Sequence, residues 1–262
     1  MVQWPRDEVA QAEADREAIR LATRAASRAR PGGYRHFHDE LAVVSQRLLD
    51  MAEAAESLIE LAVRALLDRD RAAAETVIAE DDRLDRLEVE TEQLAISLLA
   101  LQQPMARDLR FLVGAIKVSS DLERVGDHAV NIAQSVVRLV DSRATPVPLP
   151  ALEDMARRAR TMLSQALDAF IRADGALGRQ IARADDAVDA AHEGIFRMLL
   201  THMMADARTI GPSLELLLVS RNLERVADLA TNIGEDAVYL AEGTNIRHRW
   251  DARRDADDPV TR

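Results

Sequence analysis

Leu122-Glu-Arg-Val-Gly-Asp-His-Ala-Val-Asn-Ile132 decides the fold, because it returns as Leu223-Glu-Arg-Val-Ala-Asp-Leu-Ala-Thr-Asn-Ile233. Eight of the eleven positions are identical, and Glu123, Asp127 and Asn131 reappear as Glu224, Asp228 and Asn232, each 101 residues further on. Polar and apolar positions agree together, which marks one helical unit used twice. In both copies Glu, Asp and Asn stand at i, i+4 and i+8, along one face of a helix of about 3.6 residues per turn. Acidic side chains stacked this closely repel one another, so the pattern asks for something that balances the charge.

The rest of the chain agrees with a helical reading. Its 262 residues suffice for one large domain or two small ones, and 48% hydrophobic with 30% charged residues supply both a core and a solvated surface. Aromatic residues make up 3%, with 10 Gly and 8 Pro in the whole chain, a balance that favours helices over sheets. A net charge of −11 argues against a nucleic-acid partner and is compatible with cation binding. With no Cys there is neither a disulfide framework nor a thiolate metal site. No apolar run is long enough to span a bilayer and no signal-peptide core is seen, so the chain reads as soluble and cytoplasmic.

In order, residues 1–35 form a variable extension, weakly helical from about Asp7 to Arg28 and ending at Pro31-Gly32-Gly33. A first helix is expected from Phe37 to Leu67, with Leu41, Val44, Leu48, Met51, Ala55, Leu58 and Ala62 as its apolar stripe. After a turn at Arg69-Asp70, a second helix turns Val77, Leu84, Leu87, Leu94, Leu98 and Leu101 inward, and Pro104 separates it from the third. The third carries Leu112, Ala115, Ser119, Leu122, Gly126, Ala129, Ala133 and Val136 inward. Ser142-Arg-Ala-Thr-Pro-Val-Pro-Leu-Pro150 cannot continue a helix and reads as a linker. The pattern then repeats: Ala151–Ala173, Ala176–Met204 with Ile181, Ala184, Val188, Ala191, Ile195 and Met198 inward, a break at Gly211-Pro212, and Ser213–Ala241 stopped by Gly243. The expected fold is all-α, two pseudo-repeated three-helix bundles in tandem: residues 36–141 and 151–242, a linker at 142–150, and a polar tail at 243–262.

Chemistry concentrates in carboxylates. Glu123 and Asp127, like Glu224 and Asp228, sit beside the apolar stripe, where a neighbouring helix can approach over small Gly126 or Ala227. Asp81 and Asp85 flank Leu84, and Asp185 and Asp189 flank Val188. If the second and third helices of each unit are antiparallel, four carboxylates converge at each seam. Such all-oxygen sets suit hard cations such as Mg²⁺, Mn²⁺, Ca²⁺ or iron better than a closed structural zinc site, and Asn131 and Asn232 could add a carbonyl oxygen. The competing reading is a solvated face paired with Arg83, Arg124 and Arg225. Among the histidines, His128 is replaced by Leu229 in the repeat, His192 has no counterpart, and His36 and His38 read as capping or surface groups before the first helix. No Glu-x-x-His pair occurs, which removes the ligand signature of a di-iron oxidase bundle. Nothing in the sequence assembles a nucleophile with a base. Gln103 to Arg110 reads as a helix start with Asp108 near the positive end of the dipole.

Gln103-Pro104 with Asp108-Leu-Arg110, Leu122 to Asp127, Glu193-Gly194-Ile195, Met203-Met204 with Arg208-Thr-Ile210, and Arg221 to Asp228 together resemble the PhoU family in order and spacing, over about His36 to His248. The resemblance implies two similar three-helix bundles with metal-binding E/D-x-x-x-D motifs, which fall here on Asp81 and Asp85, Glu123 and Asp127, Asp185 and Asp189, and Glu224 and Asp228. The ions implied are iron, manganese, magnesium or zinc. The resemblance also implies a non-enzymatic negative regulator that links the phosphate transporter ATPase subunit to a sensor histidine kinase. It would form a homodimer, touch no nucleic acid and reach the membrane only through those partners. Two other readings compete: a carboxylate-bridged metalloenzyme acting on phosphate esters, and a purely structural helical adaptor. Ala227 departs mildly from the family, which often has Gly at that place, and the extension before residue 34 lies outside the family pattern.

Overall fold

The computed structural model describes residues 32–142 and 149–246. Six long helices follow one another: α1 (Gly32–Asp68), α2 (Arg71–Gln102), α3 (Ala106–Val140), α4 (Leu149–Arg172), α5 (Gly175–Ala205) and α6 (Ile210–Glu242), with a short 3-10 turn at Ala207–Thr209 before the last. Among the described residues there is no strand. Helices α1, α2 and α3 pack on one another, as do α4, α5 and α6.

The same turn opens α2 and α5. Arg69 and Ala173 both take positive φ, and Asp70 and Asp174 then cap the following helix by accepting from Ala73 N and from Ala176 N and Leu177 N. Buried positions recur in step along these helices: Ala74 with Gly178, Val77 with Ile181, Leu84 with Val188, Thr91 with Ile195, and Ala95 with Leu199. Each pair, like the two caps, is 104 residues apart, whereas α3 and α6 repeat at 101. The second half is therefore three residues shorter between its middle helix and its last.

Most inward positions read from the sequence are buried, including all eight on α3. Four expectations need correction. Leu101 is 78% exposed, because α2 ends at Gln102 and its last turn has no helix over it. Met198 is 41% exposed and Leu199 fully buried, since the register that buries Ile195 continues at i+4. Gly211-Pro212 does not break the chain: both lie in the first turn of α6, where proline removes no helical hydrogen bond. The turn lies instead at Asp206, whose side chain accepts from Arg208 N. Lastly, α1 begins at Gly32, so His36 and His38 lie within it, and the Phe37 and His38 ring centroids are 5.8 Å apart. Gly243, with φ +71, ends α6 as expected. The weak helix expected at Asp7–Arg28, residues 143–148 of the linker and the tail beyond residue 246 lie outside the described residues.

The two bundles share one core. Helix α1 lies on α4 and α3 on α6. The α3 and α6 axes run antiparallel: Lys117 Nζ lies 3.5 Å from Asp236 Oδ1, His128 Nδ1 2.9 Å from Asn222 Oδ1, and Arg138 Nε 2.8 Å from Glu215 Oε1. Arg160 Nη2 reaches Glu60 Oε2 at 3.0 Å between α4 and α1. Phe170 of α4 is fully buried against Phe111 of α3, their centroids 5.7 Å apart, and fills the space left open at Gly114. His128 thus joins the bundles across their seam.

Candidate metal centre

Both carboxylate groups lie on the seam between the middle and last helix of a bundle. In the first, α2 and α3 meet at Leu84 and Gly126, where an added Cβ would stand 2.5 Å from Leu84 Cδ2 and 3.4 Å from Asp81 Oδ1. Glycine leaves room for the leucine tip as it lies, and the close approach sets Asp81 against the α3 motif. In the second bundle the equivalent pair is Val188 and Ala227, both fully buried. One helix gains a methyl and the other loses a methylene, an exchange of volume across the seam.

Electrostatics show what converges. Burial first, then Asp127, Glu88, Asp85 and Asp81, pushes Glu123 from its ordinary 4.5 to about 7. Burial, then Asp85, Asp127 and Asp82, raises Asp81. In the second seam, burial followed by Asp189, Asp228, Asp186 and Glu224 pushes Asp185 from 3.8 to about 7. Asp81, Asp85, Glu123 and Asp127 thus act on one another across the first seam, and Asp185, Asp189, Glu224 and Asp228 across the second. Asn131 is exposed and Asn232 half-buried, each one helical turn beyond its Asp.

The arginine reading accounts for part of this charge. Arg225 Nη1 bonds Asp228 Oδ2 at 3.0 Å in the second seam. Arg124 turns to Asp121 at 3.9 Å, away from the first motif. Asp185 Oδ1 is wholly buried without a hydrogen-bond partner, an unusual cost for an oxygen. Hard, oxygen-rich donors around an orphaned carboxylate oxygen fit a cation chemically. Geometrically the donors stand apart: among the described residues, no three His, Asp or Glu side chains form a ready-made metal-holding group.

Two neighbours of the seams escaped the motif. Glu88 stands beside Glu123 in the first. In the second, His192 Nδ1 lies 3.0 Å from Ser220 Oγ. The signal was present in the spacing, since His192 follows Asp189 by three residues and Asp185 by seven, on one face of α5.

A tandem pair of three-helix bundles, each with a carboxylate-lined seam, defines a class of all-helical proteins. The PhoU domain model matches twice, over residues 48–136 and 152–237, and the chain belongs to the PhoU family. It is 38% identical over 207 residues to the phosphate-specific transport system accessory protein PhoU homolog of Rhizobium meliloti, covering 79% of this chain and 87% of that one. It is 39% identical over 210 residues to the Caulobacter vibrioides homolog, covering 80% and 91%. The crystal structure of PhoU from Pseudomonas aeruginosa superposes with a TM-score of 0.76 at 35% identity, covering 79% of this chain and all of that one. The Streptococcus pneumoniae phosphate transport system regulatory protein PhoU gives 0.74 at 30%, covering 80% and 98%.

Proposed function

We propose that this protein regulates phosphate uptake and phosphate-starvation signalling as a metal-binding adaptor. It bridges the ATPase subunit of the phosphate ABC transporter and a sensor histidine kinase, and holds the response off when phosphate is plentiful. The observation that carries the reading is the double PhoU match together with relatives named as phosphate-specific transport accessory proteins over most of their length. It acts in the cytoplasm as a homodimer and meets the membrane only through its partners. Support for the location is that, among the described residues, no helix is long and apolar enough to cross a membrane. Residues 36–141 and 151–242 are the two functional units, divided at 142–150.

Asp81, Asp85, Glu123 and Asp127 would hold the metal of the first unit, and Asp185, Asp189, Glu224 and Asp228 that of the second. Iron, manganese, magnesium and zinc are the candidate ions. A bound cation supplies the positive charge that cancels carboxylate repulsion. The protein works by binding rather than by catalysis. Ser220 and His192 touch, but Ser220 is fully buried and donates its hydrogen to Leu217 O at 2.9 Å, so it is no nucleophile.

Deleting the gene in a strain with a phosphate-responsive reporter tests the regulatory reading: expression should rise in phosphate-rich medium, and affinity capture should recover the ATPase subunit or the kinase. Unchanged expression with neither partner recovered would sink it. Metal should raise the melting temperature and chelation lower it, by mass action on the folded state. Release of phosphate from an ester with Mn²⁺ or Mg²⁺ would make the protein a metalloenzyme instead.

A further inference from the structure

The acidic seam of the second bundle runs on into exposed apolar surface. His192 meets Ser220 at 3.0 Å, and Gly178 lies against Gly234, so α5 and α6 are antiparallel in one register. In that register Phe196 and Leu200 lie beyond His192, alongside the first two turns of α6. Asp185, Asp189, His192 and Phe196 follow one another at three- and four-residue steps on α5, as do Leu214, Leu217, Arg221, Glu224 and Asp228 on α6. Each series keeps to one face of its helix. Phe196, Leu200, Ile210 and Leu214 are each 42–48% exposed. A cluster of large apolar side chains left in water marks an interaction surface. The fold does not require it, because the first bundle has Glu92 at the place of Phe196. The other end of the face is acidic: its four carboxylates outnumber the guanidinium groups of Arg221 and Arg225 on the same stretch of α6. A ligand that covers both zones is apolar at one end and cationic at the other. Ile210 to Asp228 spans about 27 Å at the rise of an α-helix, the length of a helix of about 18 residues. A second copy of the same face would bring carboxylates and no cation to the acidic end, since a two-fold contact pairs a surface with itself.

We propose that the α5–α6 face of the second bundle docks an amphipathic helix of a partner protein, with large apolar residues on Phe196, Leu200 and Leu214 and Lys or Arg over Asp189 and Glu224. This rests on the adaptor reading above, to which it gives a surface, and it requires no metal. Burial of the apolar end supplies affinity. The acidic end sets direction, because a reversed helix would lay apolar side chains over carboxylates and leave its cations on Phe196. The first bundle repeats the layout with Ile96, Leu109 and Val113 at the equivalent places, but Glu92 leaves it without the aromatic anchor. The two ends of the adaptor are thereby unlike.

The probe is a fluorescein-labelled helical peptide of about 18 residues, with Leu at every third or fourth position of its N-terminal half and Lys at the same spacing in its C-terminal half. It is titrated with the full chain in the presence of a chelator and followed by anisotropy. Binding should saturate and weaken as salt rises, and a peptide with Glu in place of Lys should not bind. Phe196→Glu and Leu214→Gln should each weaken binding by about tenfold or more, the usual effect of losing a central anchor. Glu224→Gln should flatten the salt dependence. Glu92→Ala in the first bundle should leave the affinity within about twofold, as for a residue outside the contact. The substituted side chains are exposed, and unfolding midpoints near that of the wild type report that the variants fold. Peptide affinity indifferent to Phe196 and Leu214 overturns the inference, as does a Phe196→Glu that dissociates a dimer without touching peptide affinity, which would assign the face to a second copy. Capture of the transporter ATPase subunit or the kinase equally by wild type and Phe196→Glu overturns this inference alone. Recovery of neither by the wild type brings down the adaptor reading beneath it.

Discussion

Gly178 and Gly194 lie on the same helix, α5, yet replacing each by alanine should move stability in opposite directions. At Gly178 a methyl would drive into the backbone carbonyl oxygen of Gly234 and come within 3.0 Å of Val238 Cγ2. A carbonyl inside α6 cannot swing aside as a side chain can, so the helices must part. Parting them by about 0.5–1 Å forfeits a quarter to a half of the dispersion attraction of each contact across the seam. Overpacking of this kind costs about 1–3 kcal/mol, against a gain of about 0.5–1 kcal/mol from removing a helical glycine. A net loss of about 1–2 kcal/mol is expected for Gly178→Ala. Gly194 is exposed and has nothing within 4 Å of an added Cβ. Gly194→Ala should therefore keep the whole gain, about 0.5–1 kcal/mol. Urea denaturation monitored by circular dichroism reads both, as a midpoint below wild type for the first and above it for the second. If Gly178→Ala is as stable as the wild type, α5 and α6 do not meet backbone to backbone at this point.

Glu123 has a raised folded value of about 7 against an ordinary 4.5. Its charge therefore opposes folding above pH 7, and the penalty fades as pH falls through 7 and is absent below 4.5. At about 1.36 kcal/mol per pH unit, discounted for the solvent that reaches this half-buried group, Glu123→Gln should stabilise the metal-free protein by about 1–2 kcal/mol at pH 8 and much less at pH 5; a gap that stays flat across this range would count against the carboxylate cluster. Phe170→Ala removes a fully buried ring from the contact between the bundles and should cost about 3–5 kcal/mol, with helices of both halves melting together in calorimetry. Two separated transitions would show that the shared core does not couple them.

Much of the fold was legible because a long amphipathic helix writes its inner face into sequence every three or four residues. The twin motif was clearer still, since Leu122, Gly126 and Ala129 are constrained by packing while Glu123 and Asp127 are constrained by the seam. Boundaries were harder to read. Gly211-Pro212 has the composition of a break, yet a proline in a first helical turn loses nothing, so Asp206 was overlooked as the turn. Met198 and Leu199 are both apolar, and composition does not choose between them; only the register through Val188 and Ile195 does. His192 was missed because the repeat was judged by the identity of α3 and α6. The middle helices correspond at a different offset, and there His192 takes the place of Glu88.

The antiparallel contact of α3 with α6 has a further meaning. The pairs Lys117–Asp236, His128–Asn222 and Arg138–Glu215 are centred close to Val125 and Val226, which are themselves repeat equivalents. This is the geometry of a two-fold, self-complementary association held within a single polypeptide. In a true homodimer every amino-acid change appears on both sides of the axis, and an asymmetric contact cannot arise without its mirror image. A covalently joined pair escapes that constraint. His128 meets Asn222, while the mirrored positions hold Asp121 and Leu229. Each half has thus been free to drift from its twin while the other preserved the shape, and two carboxylate seams of unlike composition can evolve on what began as one surface.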